Sequence, residues 1–150
     1  MKNKHGKKKK EKMLLKPKNT KYKKYHKGRM NFIQKKKEFC YGEYAIISKE
    51  TANLSSSQLS TAELAIKRKI KKDGSIYKRV FPHLPVTKKP AEVRMGKGKG
   101  SVSHYIARIS PGSFIFELKT TNKFLAKAAL SVAASKLPFQ TLLVGVKHPA

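Results

Sequence analysis

Three glycines alternate with residues that include two lysines in Arg94-Met95-Gly96-Lys97-Gly98-Lys99-Gly100, the run with the clearest chemical content in this sequence. Without β-carbons at alternate positions the backbone amides can approach a phosphate closely, and Lys97 and Lys99 bring charge to the same place. The spacing excludes two nucleotide motifs. No Gly-Lys-Ser/Thr follows a first glycine at P-loop distance, and Ser101 stands where a dinucleotide fingerprint would put its third glycine. A glycine-lysine loop between strands suits an extended RNA backbone, and a mobile hairpin tip is the bland alternative.

A second constellation lies nearer the start. Tyr22, Tyr25 and His26 are interleaved with Lys16, Lys18, Lys21, Lys23, Lys24, Lys27 and Arg29. Cations that neutralise phosphates, together with rings that can stack on splayed bases, make an arm that orders on RNA; a solubilising tail is the alternative. Before it, residues 1–12 form a low-complexity lysine tract expected to be disordered.

The charge balance supports this partner class. The chain has 150 residues, 36 of them Lys or Arg against 8 Asp or Glu, for a formal net charge of +28. Self-repulsion of this size opposes a compact state unless a polyanion neutralises it. Residues 1–37 hold 16 Lys, 1 Arg and 1 Glu, so more than half of the surplus precedes the apolar part of the chain. The expected organisation is therefore a 1–12 extension, a 13–37 basic arm and a 38–150 folded domain. A cationic protein that binds any nucleic acid without a fixed site, or acts as an RNA chaperone, is the competing reading.

Catalysis finds no support. The acids Glu11, Glu38, Glu43, Glu50, Glu63, Asp73, Glu92 and Glu117 stand apart, the five histidines are scattered, and Cys40 has no neighbouring base. A single cysteine can form neither an intrachain disulfide nor a thiolate zinc site. No catalytic residue, metal, cofactor or small-molecule substrate is expected. No apolar run approaches the roughly 18 residues of a membrane span, and Met13-Leu14-Leu15 is too short for a signal-peptide core.

The elements that must position these residues read as an α+β fold, a mixed sheet with two packed helices. Residues 38–48 suggest a bent strand or hairpin about Gly42. The spacing predicts a helix over 54–72, capped by serine at 55–57, with Leu59, Ala62, Ile66 and Ile70 on its apolar stripe. Asp73-Gly74 turns into a strand over 75–81, and Pro82, Pro85 and Pro90 keep the next stretch irregular. A strand over 102–110, the turn Pro111-Gly112 and a hairpin partner over 113–119 follow. A helix over 122–136 should bury Leu125, Ala128, Ala129, Val132 and Ala133, and a strand over 139–146 closes the domain.

Three of these stretches carry a family resemblance. Leu14-Leu15-Lys16-Pro17-Lys18-Asn19-Thr20-Lys21-Tyr22-Lys23-Lys24-Tyr25-His26-Lys27-Gly28-Arg29-Met30 resembles the amino-terminal signature of the ribosomal protein L-sixteen family of bacteria, plastids and mitochondria. Ile76-Tyr77-Lys78-Arg79-Val80-Phe81-Pro82, Val86-Thr87-Lys88-Lys89-Pro90 and the run from Glu92 through Gly100 resemble its central signature in the same order. Ala133-Ala134-Ser135-Lys136-Leu137-Pro138 resembles its last helix exit.

The resemblance implies an α/β-hammerhead fold and a structural place in the large ribosomal subunit, among rRNA and neighbouring ribosomal proteins. It implies that the arm from Lys16 to Arg29, and Arg79, contact large-subunit rRNA near the A-site tRNA cleft. Arg94, Met95, Gly96, Lys97, Gly98, Lys99 and Gly100 would then reach toward A-site and P-site tRNA and the peptidyl transferase centre, where rRNA is the catalyst. Glu63-Leu64 departs from the family by standing in place of an arginine pair. That drift and the lysine usage suggest an organelle-encoded member on a mitochondrial ribosome, with plastid and bacterial cytoplasm as alternatives.

Overall fold

The computed structural model describes residues 15–30 and 38–146. The 1–12 extension, residues 13–14 and 31–37 of the arm and residues 147–150 of the domain lie outside the described residues. Among the described residues seven strands and two helices follow one another: β1 (Tyr44–Ser48), β2 (Ala52–Ser55), α1 (Ser56–Ile70), β3 (Ser75–Lys78), β4 (Leu84–Lys88), β5 (Ser101–Ile109), β6 (Phe114–Lys119), α2 (Lys123–Ala134) and β7 (Thr141–Gly145).

The α+β class holds, and among the described residues the strands form two antiparallel sheets. One runs β3-β6-β1-β7 and the other β2-β5-β4. The helices pack on each other, with α2 against β1 and β7, and α1 against β2, β3 and β5. Between them lies a core that includes Ile46, Leu54, Leu59, Ile66, Phe116, Leu118 and Leu130.

α1 forms where the apolar spacing places it, and Leu59, Ala62, Ile66 and Ile70 are its buried residues. Its start is a capping box: the Gln58 amide donates to Ser55 Oγ at 3.3 Å, and the Ser55 amide donates to Gln58 Oε1 at 3.0 Å. Such a cap contributes about 1 kcal/mol. Leu54, expected in the helix, belongs instead to β2, because Ser55 is the cap and the chain before it pairs with β5.

Four further expectations need correction. Residues 113–119 are not the hairpin partner of β5. The Gly112 amide donates to Ser48 O at 2.8 Å and the Ser48 amide to Ser113 O at 3.1 Å, so the turn is held at the end of β1 and β6 enters beside β1. β6 is also buried on both faces, which suits the interior of a sheet. Pro85 does not interrupt order: it lies in β4 opposite Tyr105, on a sheet edge where a missing N–H is tolerated. α2 turns Ala126, Ala129, Leu130 and Ala133 inward, leaving Leu125 and Val132 half-buried and Ala128 exposed. Apolar residues lie almost all round α2, so spacing alone sets its rotation weakly. Finally, residues 38–43 are neither strand nor hairpin, for a reason that lies in Glu117.

Candidate nucleic-acid interface

β6 aligns Glu117 with Ala45 of β1 and with Tyr77 of β3, so these side chains share one face of the sheet. Residues 38–43 strap across that face. The Glu117 carboxylate, fully buried, accepts the amide N–H of Cys40, Tyr41 and Gly42 at 3.2, 2.7 and 3.1 Å. Arg79 Nη1 completes the set as an ion pair. Gly42 is required here, since a β-carbon on it would stand 2.7 Å from the Leu118 carbonyl. Sequence reasoning missed Glu117; the signal was an acid within the apolar run Phe114-Ile115-Phe116-Glu117-Leu118.

The structure joins the two sequence constellations. Lys24 Nζ donates to the Lys99 carbonyl at 2.7 Å, and Lys99 Nζ donates to the Tyr25 carbonyl at 2.5 Å, a reciprocal clasp between arm and loop. Lys89, missed from sequence, donates to the Gly96 carbonyl at 2.6 Å. Gly96, Lys97 and Gly98 all have positive φ, at 103°, 53° and 83°, which glycine accepts readily and Lys97 adopts at some cost. Gly100 serves a different need: a β-carbon there would meet the Lys88 carbonyl at 2.7 Å. Arg94, Met95, Lys97 and Lys99 are exposed, Met95 almost completely.

Along the arm Leu15 packs against the core, which anchors the chain, while Lys16, Lys18, Lys21, Tyr22, Lys23, Lys24, Tyr25, His26, Lys27 and Arg29 are exposed. Tyr22 and Tyr25 meet edge to face with centroids 6.3 Å apart, and Lys21 Nζ lies 5.5 Å from the Tyr22 ring centre. Among the described residues, no arm or loop cation is paired with an acid; the ion pairs use Lys67, Lys78 and Arg79. The result is one continuous set of unneutralised cations with rings among them. Arg79 is placed apart from this set, with its guanidinium on Glu117 and 5.6 Å from the Tyr41 ring centre.

Glu63 also has a structural task. It receives Lys67 from the next turn of α1 at 2.5 Å and Lys78 of β3 at 2.8 Å, tying helix to sheet. Burial acts to raise its pKa, but the bonds from Lys67 and Lys78 together outweigh it, so the carboxyl titrates below its ordinary 4.5. A folded pKa below the unfolded one gives stability that is present above about pH 4.5 and lost as pH falls through the folded value. The unfolding free energies of the parent and Glu63→Gln, from urea denaturation, are thus expected to differ at pH 7, by less than about 1 kcal/mol because Lys67 is exposed, and to converge as the pH falls through the lowered folded value.

A model of the family described as ribosomal protein L16p/L10e matches residues 17–144, which takes in most of the arm and all of the strap and loop. The chain belongs to that family. L16p/L10e relatives include proteins called large ribosomal subunit protein uL16 from Blochmanniella pennsylvanica, Borrelia garinii subsp. bavariensis and Acinetobacter baumannii. The first is 46% identical over 133 residues, covering 89% of this chain and 99% of that protein. The second and third are 44% and 42% identical over 132 residues, each covering 87% of this chain and 96% of the relative. L16p/L10e proteins are structural ribosomal components and not enzymes. No group of three or more His, Cys, Asp or Glu able to hold a metal ion occurs among the described residues. No helix among them is long and apolar enough to cross a membrane.

Proposed function

We propose that this chain is a structural constituent of the large ribosomal subunit that binds large-subunit rRNA near the A-site tRNA cleft through the arm from Lys16 to Arg29. In this reading the loop from Arg94 to Gly100 extends toward A-site and P-site tRNA and the peptidyl transferase centre, and neighbouring ribosomal proteins complete its surroundings. The observation that carries it is the Lys24–Lys99 clasp, which makes arm and loop one cationic surface without acid partners among the described residues. The names of the relatives support the subunit. Their organisms are bacteria, which favours the bacterial cytoplasm and lends no support to the mitochondrial setting suggested by lysine usage. Arg79 enters only in part: with one nitrogen on Glu117 and a fifth of its side chain exposed, it can meet an rRNA phosphate only as an additional partner.

The test is cosedimentation of the tagged chain with the large subunit through a moderate salt wash; recovery only in free fractions would sink the reading. The loop is tested separately by Arg94→Ala with Lys97→Ala, leaving Lys99 because it holds the arm. Subunit incorporation is expected to persist while tRNA accommodation slows several-fold. Lost incorporation with normal accommodation would contradict the division between arm and loop. Equal affinity for any RNA or DNA would favour the non-specific cationic protein instead.

A further inference from the structure

The strap held by Glu117 presents an aromatic surface that the arm and loop do not use. Tyr41 lies on the strap and Tyr77 on β3, and their rings stack with centroids 5.3 Å apart and planes 25° from parallel. Tyr41 is 61% exposed and Tyr77 36% exposed, so this pair is not core packing. The Tyr41 amide makes the shortest of the three strap bonds to Glu117, which orders its backbone. Over the Tyr41 ring, 5.6 Å from its centre, stands the Arg79 guanidinium, kept in place by the same carboxylate. A ring with an ordered backbone, held by a second ring and a cation packed over it, loses little entropy when a flat group stacks on its exposed surface.

We propose that Tyr41 is a stacking platform for an unpaired base of the RNA that this protein binds, with Tyr77 as supporting ring and Arg79 as supporting cation. The inference rests on the RNA-binding reading above and adds a contact that does not depend on phosphate. A nucleotide suits this site better than an apolar peptide, because the base offers a π face to the tyrosine while its phosphate finds the guanidinium. Every base has such a face, so the platform adds affinity with little sequence preference.

The chain contains no tryptophan, so Tyr41→Trp installs a single reporter. Phe124→Trp, at an exposed position on α2, is the control. On titration with isolated large-subunit rRNA, the fluorescence of the Tyr41→Trp protein is expected to fall several-fold more than that of the control. Tyr41→Ala is expected to weaken binding about tenfold or more with an unchanged salt slope, while Tyr41→Phe binds as the parent does. Thermal melts establish that each variant folds, and if Tyr41→Ala does not, the tryptophan and phenylalanine variants still decide. Equal quenching at both positions, or a Tyr41→Ala affinity within twofold of the parent, overturns the platform. Unchanged RNA affinity with lost subunit assembly assigns the surface to a neighbouring protein and overturns it too. If the parent shows no saturable binding to rRNA, the RNA-binding reading itself fails, and the platform with it.

Discussion

Replacing Glu117 with Ala is expected to lower the unfolding free energy by about 3–5 kcal/mol, the range seen when one member of a buried ion pair is removed. Four donors lose their acceptor together: the amides of Cys40, Tyr41 and Gly42 and the Arg79 guanidinium. These bonds are part-buried around a fully buried carboxylate, so water replaces it only in part, and a donor left partly unsatisfied is costly. Domains of this size have only about 5–15 kcal/mol to lose, so this one change approaches unfolding. Glu117→Gln tests the same idea more gently. It keeps the shape but exchanges one acceptor oxygen for an NH2 group that faces donors, and about half the loss is expected. Urea denaturation gives the energy, and hydrogen exchange at the amides of residues 40–42 locates it. Unchanged exchange there in Glu117→Gln would show that the carboxylate does not hold the strap. Arg79→Ala should cost less, because Arg79 is partly exposed and the carboxylate keeps its three amides; the double variant should lose less than the sum of the single losses.

This carboxylate also marks the limit of what sequence can disclose. The α1 stripe was legible because Leu59, Ala62, Ile66 and Ile70 are local and periodic, and the serines at 55–57 marked a cap that the structure places at Ser55, with Gln58 as its unread partner. The glycines of the loop were legible because a backbone requirement is written into residue type, and the structure meets it with positive φ at Gly96 and Gly98. Partner choice was not. Pro111-Gly112 announces a reversal without saying which strand will lie alongside, and the answer came from the bond between Gly112 and Ser48, some 60 residues apart in sequence. Glu117 and its strap are likewise separated by more than 70 residues, so no local pattern links them. The arm was readable as a set of cations, but its clasp with the loop joins Lys24 to Lys99 through a carbonyl, and a carbonyl has no residue type to read.

Neutralising the arm is expected to produce the largest effect on binding. With Gln at Lys16, Lys18, Lys21, Lys23, Lys24, Lys27 and Arg29, affinity for large-subunit rRNA should fall about 10³-fold or more at moderate salt. The slope of log affinity against log salt should become shallower by about five, since each of the seven cations displaces up to about 0.7 of a counterion from single-stranded RNA. That expectation follows from their exposure and from the absence of acid partners among the described residues; cations already neutralised within the protein would contribute little. Lys24 should stand out from the others. Its ammonium holds the Lys99 carbonyl while Lys99 holds the Tyr25 carbonyl, so Lys24→Gln removes one charge and also frees the loop. Lys24→Gln and Lys99→Gln should therefore be non-additive, whereas Lys24→Gln and Lys16→Gln should add. Salt titrations of these single and double variants measure both quantities. A slope that stays within one unit of the parent after all seven changes would show that the arm does not carry the phosphate contacts. Strict additivity of Lys24 and Lys99 would show that arm and loop act as separate surfaces despite the clasp.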